Sequence, residues 1–392
     1  MRKQTALKLF AFLALFLAVA AIAFAATIPA RLSVASADDI KVASKSAYVI
    51  DFETGTVIFK QNEKARLPIA SMTKIMSLLL TFEAIDKGEL SLDEMITISP
   101  EAAGMGGSQI FLDAGSQHKA SDLIKAITVA SANDACVAIA ERIAGSEMGF
   151  TKLMNKRAQE LGMQNTHFAN CTGLPAPENF SCAEDVSVMM RELAKHDKYY
   201  EYSKVWLEDY VHPSGRKTCM TNTNKLVRFY NGCDGGKTGF TQEAGHCLSA
   251  TAKRGDMRII ATVICAPNSK QRFADVSNLF NYAFGCFENK IYLKAGDSIQ
   301  NNVEVVRGKQ KNIELTVSEN LTAFVKRGEE AVCEIKLELP EKIKAPLKQG
   351  DVVGKAYIIR DGKVIDEAQV IVKTEVPRST LLDDIKRLIK NK

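Results

Sequence analysis

The chain has 392 residues, 46% apolar and 25% charged, with a formal charge of +5. This is the composition of an ordinary globular protein able to fill real cores, and the length predicts two domains. So small a net charge excludes any case for nucleic-acid binding, the more so because most of it lies at the N-terminus.

Arg2 and Lys3 precede an uncharged apolar run from Leu9 to Ala26, and Ala35-Ser36-Ala37 makes a small-x-small site before Asp38-Asp39. The pattern predicts a secretory signal peptide over 1–37. Ala23-Phe24-Ala25 is a second cleavage site. The alternative is a retained membrane helix, since about 18 apolar residues can span a thin bilayer. Cleavage removes Arg2, Lys3, Lys8 and Arg31 and no acidic residue, so the formal charge falls from +5 to +1.

Ala47 to Phe52 and Val57 to Lys60 are β-rich runs around Glu53-Thr54-Gly55 and predict a hairpin. Pro68 precedes an apolar stretch, Ile69 to Ile85, that predicts a helix carrying Ser71 and Lys74. Ser121 is read as the cap of a helix with Leu123, Ile124 and Ile127 on one face, ending at Ser131. Helices follow over Ala135 to Ile143 and about Gly149 to Leu161, and 170–235 reads as less regular. Cys247 to Lys253 and Met257 to Cys265 flank Arg254-Gly255-Asp256, a second hairpin, and Ser269 to Phe284 reads as a helix. This order predicts an α/β (α+β) domain over 38–290, its first and last strands meeting in one antiparallel sheet beside a helical part.

Beyond Tyr292 come short strand-like runs at Val303–Val306, Ile313–Val317, Ala331–Leu339, Val352–Ile359 and Val364–Val372. Asp361-Gly362 is a tight-turn pair between the last two, so 291–376 reads as a small all-β domain. In the tail, 377–392, Leu381, Leu382, Ile385, Leu388 and Ile389 fall on one helical face, with five basic residues against two acidic. Such a helix can lie in a membrane interface and is too short to cross it; the alternative is docking on its own protein. Nine cysteines, none in a close Cys-x-x-Cys pair, argue against a zinc cluster and for small core residues, with a Cys219–Cys233 bridge left open.

The chemistry rests on three short motifs: Ser71-Met72-Thr73-Lys74, Ser131-Ala132-Asn133 and Lys237-Thr238-Gly239. A serine hydroxyl is a poor nucleophile until a base takes its proton. The five histidines, at 118, 167, 196, 212 and 246, form no recognisable triad. A lysine three residues along a helix shares the serine's face, and burial or a second positive charge such as Lys237 makes it a base by disfavouring the ammonium. Ser71 is therefore read as nucleophile and Lys74 as base. Ser131 can relay a proton to a leaving amine, and the Asn133 amide can hold Lys74 and a substrate carbonyl. Lys237-Thr238-Gly239 reads as an edge strand to which an extended peptide can add, with Gly239 permitting close approach. Lys237 and Thr238 then meet a terminal carboxylate, and the backbone N–H groups of Ser71 and Phe240 stabilise the oxyanion.

Three motifs in this order form the signature of penicillin-binding proteins and serine β-lactamases. With Gly107-Ser108-Gln109-Ile110-Phe111-Leu112, Asn165-Thr166-His167-Phe168 and Gly173-Leu174 added, the chain resembles the low-molecular-mass penicillin-binding proteins that act as serine-type D-alanyl-D-alanine carboxypeptidases. The resemblance runs from about residue 40 to the C-terminus. It implies a transpeptidase-like catalytic domain, removal of the terminal D-alanine from peptidoglycan stem pentapeptides through an acyl-enzyme on Ser71, and acylation by β-lactams. It also implies export to the outer face of the cytoplasmic membrane, anchorage through the C-terminal helix, and no cofactor or metal. Arg272, 35 residues beyond Lys237, matches the family's arginine for the substrate carboxylate. Phe240 and Thr223 stand where some relatives carry His and Arg.

Two other readings compete. A class A β-lactamase needs a glutamate roughly 35 residues beyond the Ser-x-Asn motif to activate water. Here that region reads Thr166-His167-Phe168-Ala169-Asn170, and Glu178 is the nearest later one. A non-catalytic wall-binding protein would have no need of Ser71 and Lys74 together.

Overall fold

The computed structural model describes residues 40–328, 333–380 and 383. The predicted signal peptide lies outside them, as do residues 381, 382 and 384–392 of the predicted tail helix; that helix does not begin at 377, because Arg378 bridges Gly308 and Ser379 N–H donates to the Arg307 carbonyl.

The predicted N-terminal hairpin forms as Ser46–Asp51 and Val57–Gln61. Ser46–Asp51 then pairs antiparallel with Met257–Ala266, Ala47 opposite Val263, so the two ends of the catalytic part meet in one sheet. The full order is Val57–Gln61, Ser46–Asp51, Met257–Ala266, Gly245–Arg254 and, at the edge, Cys233–Thr241. Met257–Ala266 is apolar apart from Arg258 and Thr262 because both its faces are covered. Ile259, Ala261 and Val263 pack under the Ser269–Cys286 helix with Val276, Leu279 and Phe280. Ile260 and Ile264 face the other core, with Ile75, Met76, Val186 and Met190. That second core belongs to the helical part, built around Lys74–Asp86, a helix buried on nearly every side.

Two local readings need correction. Ser121 does not cap its helix, which runs Ala120–Ala130 from a cap position at Lys119. The carbonyls of Glu94 and Leu92 accept the N–H groups of Ala120 and Ser121, so the helix start needs no hydroxyl. The stretch read as less regular contains the Ala183–Leu193 helix, with Glu184 and Asp185 in its first turn, and a hairpin of Leu207–Val211 with Lys217–Thr221. Val186, Met189, Met190 and Leu193 carry its buried stripe at helical spacing, a signal already present in the sequence.

The C-terminal part is β-rich. Phe287–Leu293 continues directly from the Ser269–Cys286 helix, straddles residue 290, and pairs with Leu321–Lys326. Leu315–Val317, Lys363–Val372, Val352–Arg360 and Glu334–Glu338 make a four-stranded sheet in that order. The turn at Asp361-Gly362 forms with both residues at positive φ, 51° and 72°. Leu315, Leu321, Ile358, Val370 and Val372 fill its core.

Candidate active site

Ser71 sits on a single 3₁₀ turn, Ala70–Thr73, that runs into the Lys74–Asp86 helix. The predicted helix is thus tighter at its start. In 3₁₀ geometry residues i and i+3 eclipse, which brings Lys74 Nζ to 3.3 Å from Ser71 Oγ. Ala70 holds the left-handed conformation, φ 47°, a strained setting for a residue with a Cβ. Two glycines make the turn fit. A Cβ on Gly173 would stand 2.0 Å from the Ala70 carbonyl oxygen, and one on Gly239 would stand 2.4 Å from that of Ile69. Gly239 therefore admits the nucleophile turn itself.

Lys74 is fully buried, and its Nζ donates to Asn133 Oδ1 and the Thr172 carbonyl, both at 2.6 Å, as well as to Ser71 Oγ. No carboxylate is among these acceptors, so burial pushes the ammonium below the ordinary lysine range. Ser131 ends the Ala120–Ala130 helix in the left-handed conformation, φ 63°, which turns its hydroxyl to accept from Lys237 Nζ at 2.8 Å. Lys237 is 1% exposed, and its pKa is held well below the usual range, first by burial and then by the charges of Lys74 and Arg272. Of the two causes read for Lys74, burial is the one that displaces it, and the repulsion between the two amines is felt at Lys237.

Asn133 is tied on both sides. Its Nδ2 donates to the Gly106 carbonyl at 2.6 Å, and its backbone N–H to that of Ser108 at 2.7 Å. The Asp134 carboxylate accepts from the N–H groups of Ile110 and Leu112. Helix start and Gly107–Leu112 loop therefore form one unit. The start of the motif strand is pinned by Tyr199 Oη, which accepts from Gly236 N–H, and by Asn224 Nδ2, which donates to the Gly235 carbonyl. Thr238 is buried, whereas Phe240 is 52% exposed and stacks on His246 at 4.4 Å. Arg272 is 9% exposed, donates Nη1 to the Gly239 and Cys247 carbonyls at 3.1 and 3.4 Å, and leaves a buried Nε without a partner. The structure thus gathers Ser71, Lys74, Ser131, Asn133 and Lys237, with Thr238, Gly239 and Phe240 along the motif strand and Arg272 reaching it from the Ser269–Cys286 helix.

Thr172, Asp134, Tyr199 and Asn224 carry no role in the sequence reading. Thr172 acts through a backbone carbonyl, which no residue letter announces; Asp134 and Gly173 at least stand in the quoted family segments. All nine cysteines are unbridged, with Cys219 exposed and Cys233 buried, so the bridge left open above does not form. The Glu178 carbonyl accepts from His167 Nδ1, and Glu147 accepts from Cys171 N–H, so neither stands among the partners of Lys74. A hydroxyl beside a buried amine, a second hydroxyl–amine pair and an open sheet edge are the parts of an acyl-transfer site.

Comparison with known proteins agrees. The family model for D-alanyl-D-alanine carboxypeptidases matches residues 32–268, and that for the penicillin-binding protein 5 C-terminal domain matches 287–378. The chain is 42% identical over 347 residues to the D-alanyl-D-alanine carboxypeptidase DacF of Bacillus subtilis, covering 88% of each. It is 33% identical over 343 residues to DacC of Escherichia coli, covering 86% of this chain and 84% of that one. Among solved structures, penicillin binding protein 5 from Haemophilus influenzae superposes with a TM-score of 0.67 at 29% identity, over 86% of this chain and 99% of that one. Motifs, sheet and paired lysines all lead to the same place: the chain belongs to the D-alanyl-D-alanine carboxypeptidase family, penicillin-binding serine peptidases of cell-wall metabolism.

Proposed function

We propose that catalysis runs through an acyl-enzyme on Ser71, with Lys74 as its base. Neutral Lys74 takes the Ser71 proton, and Oγ attacks the carbonyl of the penultimate D-alanine of a stem pentapeptide. The N–H groups of Ser71 and Phe240 carry the oxyanion. Ser131 gives its proton to the departing D-alanine amine and regains one from the Lys74 ammonium, which leaves Lys74 neutral. Lys74 then takes a proton from the water that attacks the ester and passes it to Ser71 Oγ as the tetrapeptide leaves. The substrate lies on the edge of Cys233–Thr241 as an added strand, with its terminal carboxylate toward Lys237, Thr238 and Arg272, while Asn133 fixes Lys74. β-Lactams acylate the same serine. The observation that carries the reading is the fully buried Lys74 at 3.3 Å from Ser71 Oγ with no carboxylate among its partners. Penicillin G followed by mass spectrometry tests it: one lasting adduct on the Ser71 peptide is expected, and an adduct on Ser71→Ala would overturn the assignment.

We further propose export, with a signal peptide over 1–37, a catalytic domain over 38–290, a β domain over 291–376 and, in the tail beyond residue 380, an interfacial helix at the outer face of the cytoplasmic membrane. Among the described residues no helix is long and apolar enough to cross a membrane. The amphipathic pattern of the tail supports binding in the membrane interface. Sedimentation with anionic vesicles, comparing the mature protein with a form ending at residue 376, checks this; equal binding by both would sink it.

A further inference from the structure

Two buried imidazoles, His118 and His212, stand behind the Gly107–Leu112 loop, the second of them in the turn between Leu207–Val211 and Lys217–Thr221. We propose that His212 is a positioning residue: its neutral form braces the loop that holds Asn133, and a proton on its Nδ1 releases that loop. The effect on rate rests on the Lys74 assignment above; the brace itself does not.

The loop is held from two sides. On one, the Gly106 and Ser108 carbonyls accept from Asn133, and Asp134 accepts from Ile110 and Leu112 N–H. Phe111, between those two N–H groups, has φ 63°, a strained setting for a residue with a Cβ. On the other side Arg216 Nη2 donates to the Phe111 carbonyl, and Thr218 Oγ1 donates to that of Ile110 at 3.2 Å.

His212 sets both of these donors. A guanidinium only donates, so His212 Nδ1, 3.3 Å from Arg216 Nη2, carries a lone pair. The ring proton is then on Nε2, which donates to Thr218 Oγ1 at 2.9 Å and leaves the threonine hydrogen for Ile110. This neutral tautomer satisfies every partner. A proton on Nδ1 sets N–H against N–H and charge against charge. Arg216 is the partner able to leave, because its side chain is 42% exposed and already meets Asp113 at 3.3 Å, whereas His212 is 2% exposed. Its departure strips the Phe111 carbonyl of a donor and lets the strained residue relax, and with it the two carbonyls that fix Asn133.

Burial first, and then Arg216, oppose a charge on His212; Asp113, Asp134 and the Ile110 carbonyl favour it, and the balance holds its pKa below the ordinary histidine range. His118, edge-on at 6.2 Å, is held low by burial and by His212 against Asp122, Asp113 and Asp134. Tyr210, at 5.0 Å, is pushed up by burial and stays neutral.

The experiment follows the rate of penicillin G acylation from about pH 8 down to about pH 5, the range in which an imidazole charges. A carbon-13 histidine spectrum reads each ring alongside. In wild type the rate should fall with one proton, that of Lys74, and steepen to a second as His212 charges, below the about 6.5 of a free imidazole. His212→Gln offers the same donor and acceptor without a charge. It should keep the wild-type rate near neutral pH and lose the second step. Arg216→Ala, with the brace gone at every pH, should start roughly tenfold slower and also lack that step. Rate that returns on neutralisation shows that the loop has opened and the fold has not; a loss that stays would overturn the proposal. So would a His212 that charges in the spectrum without any steepening, or a His212→Gln enzyme slowed by one factor at every pH. If the Lys74 limb is missing and the His212 step remains, the base assignment fails and the brace stands.

Discussion

The two halves of this molecule bury different things. Within the catalytic part, Asp51, Lys74, Asp134, Lys237 and Asp275 lie almost wholly out of water. Beyond Asp275, the buried polar residues among those described come down to Thr316, and the β region is filled by Leu315, Leu321, Ile358 and Val370. A buried charge costs folding energy unless paired, and Lys74 and Lys237 are satisfied by neutral oxygens only. The catalytic part thus carries an electrostatic burden that the β region does without, and on the mechanism proposed above that burden is what frees Lys74 of its proton.

The sharpest break of that contrast is Lys74→Met, which keeps the volume and removes the amine. Acylation by penicillin G should fall on the order of 10³-fold, the share of a positioned general base. Stopped-flow labelling measures it, and a loss of less than tenfold would take the base assignment away from Lys74.

Gly239→Ala tests whether the nucleophile turn depends on the motif strand. Its new Cβ would meet the Ile69 carbonyl and the Met72 N–H, which are backbone and cannot swing aside. Displacing Ser71 by a fraction of an ångström should slow acylation about 10²-fold. If instead binding weakens while the acylation step keeps its rate, the glycine serves substrate approach after all.

The three short motifs were legible because the chemistry read into them demands particular side chains: Ser71 stands against Lys74, and Ser131 against Lys237. What was not legible acts through the backbone or across long sequence separations. The 3₁₀ turn at Ala70–Thr73 depends on Gly173 and Gly239, roughly 100 and 170 residues downstream, so no local window announces it. Thr172 serves Lys74 through a carbonyl. Local propensity proposed Ser121 as a cap, and tertiary partners at Glu94 and Leu92 took its place. The Ala183–Leu193 helix is the contrary case, where the periodic signal stood in the sequence within a stretch rich in Asn, Gly and Pro.

A gentler perturbation separates the two lysines. Only neutral Lys74 can accept the Ser71 proton, so the acylation rate should fall as pH drops through its pKa. Burial holds that value below the ordinary ~10.4, and the limb should lie correspondingly lower. Lys237→Gln removes a positive neighbour, which by reciprocity makes Lys74 keep its proton to higher pH. The acid limb should therefore shift upward, whatever the change in its height. An unmoved limb would mean that the two amines titrate independently.

The smallest effect on chemistry is expected from the β region, and there the stability effect is large. Ile358 is fully buried at the centre of the C-terminal core and touches no residue of the site. Ile358→Ala should destabilise that core by about 2–5 kcal/mol through lost contacts and a residual cavity. Penicillin acylation of the folded enzyme should stay within about twofold of wild type, as for any pair of distant sites without shared partners. Phe324 offers the control, because it stacks on Phe287 at 5.2 Å and also belongs to the core beneath the central sheet. Phe324→Ala should loosen both parts, seen as raised hydrogen exchange in the Ser269–Cys286 helix as well as in the β strands. If Ile358→Ala slowed acylation as much as Phe324→Ala, the division between a core that bears catalytic charge and a core that bears only apolar packing would not be the one that governs this molecule.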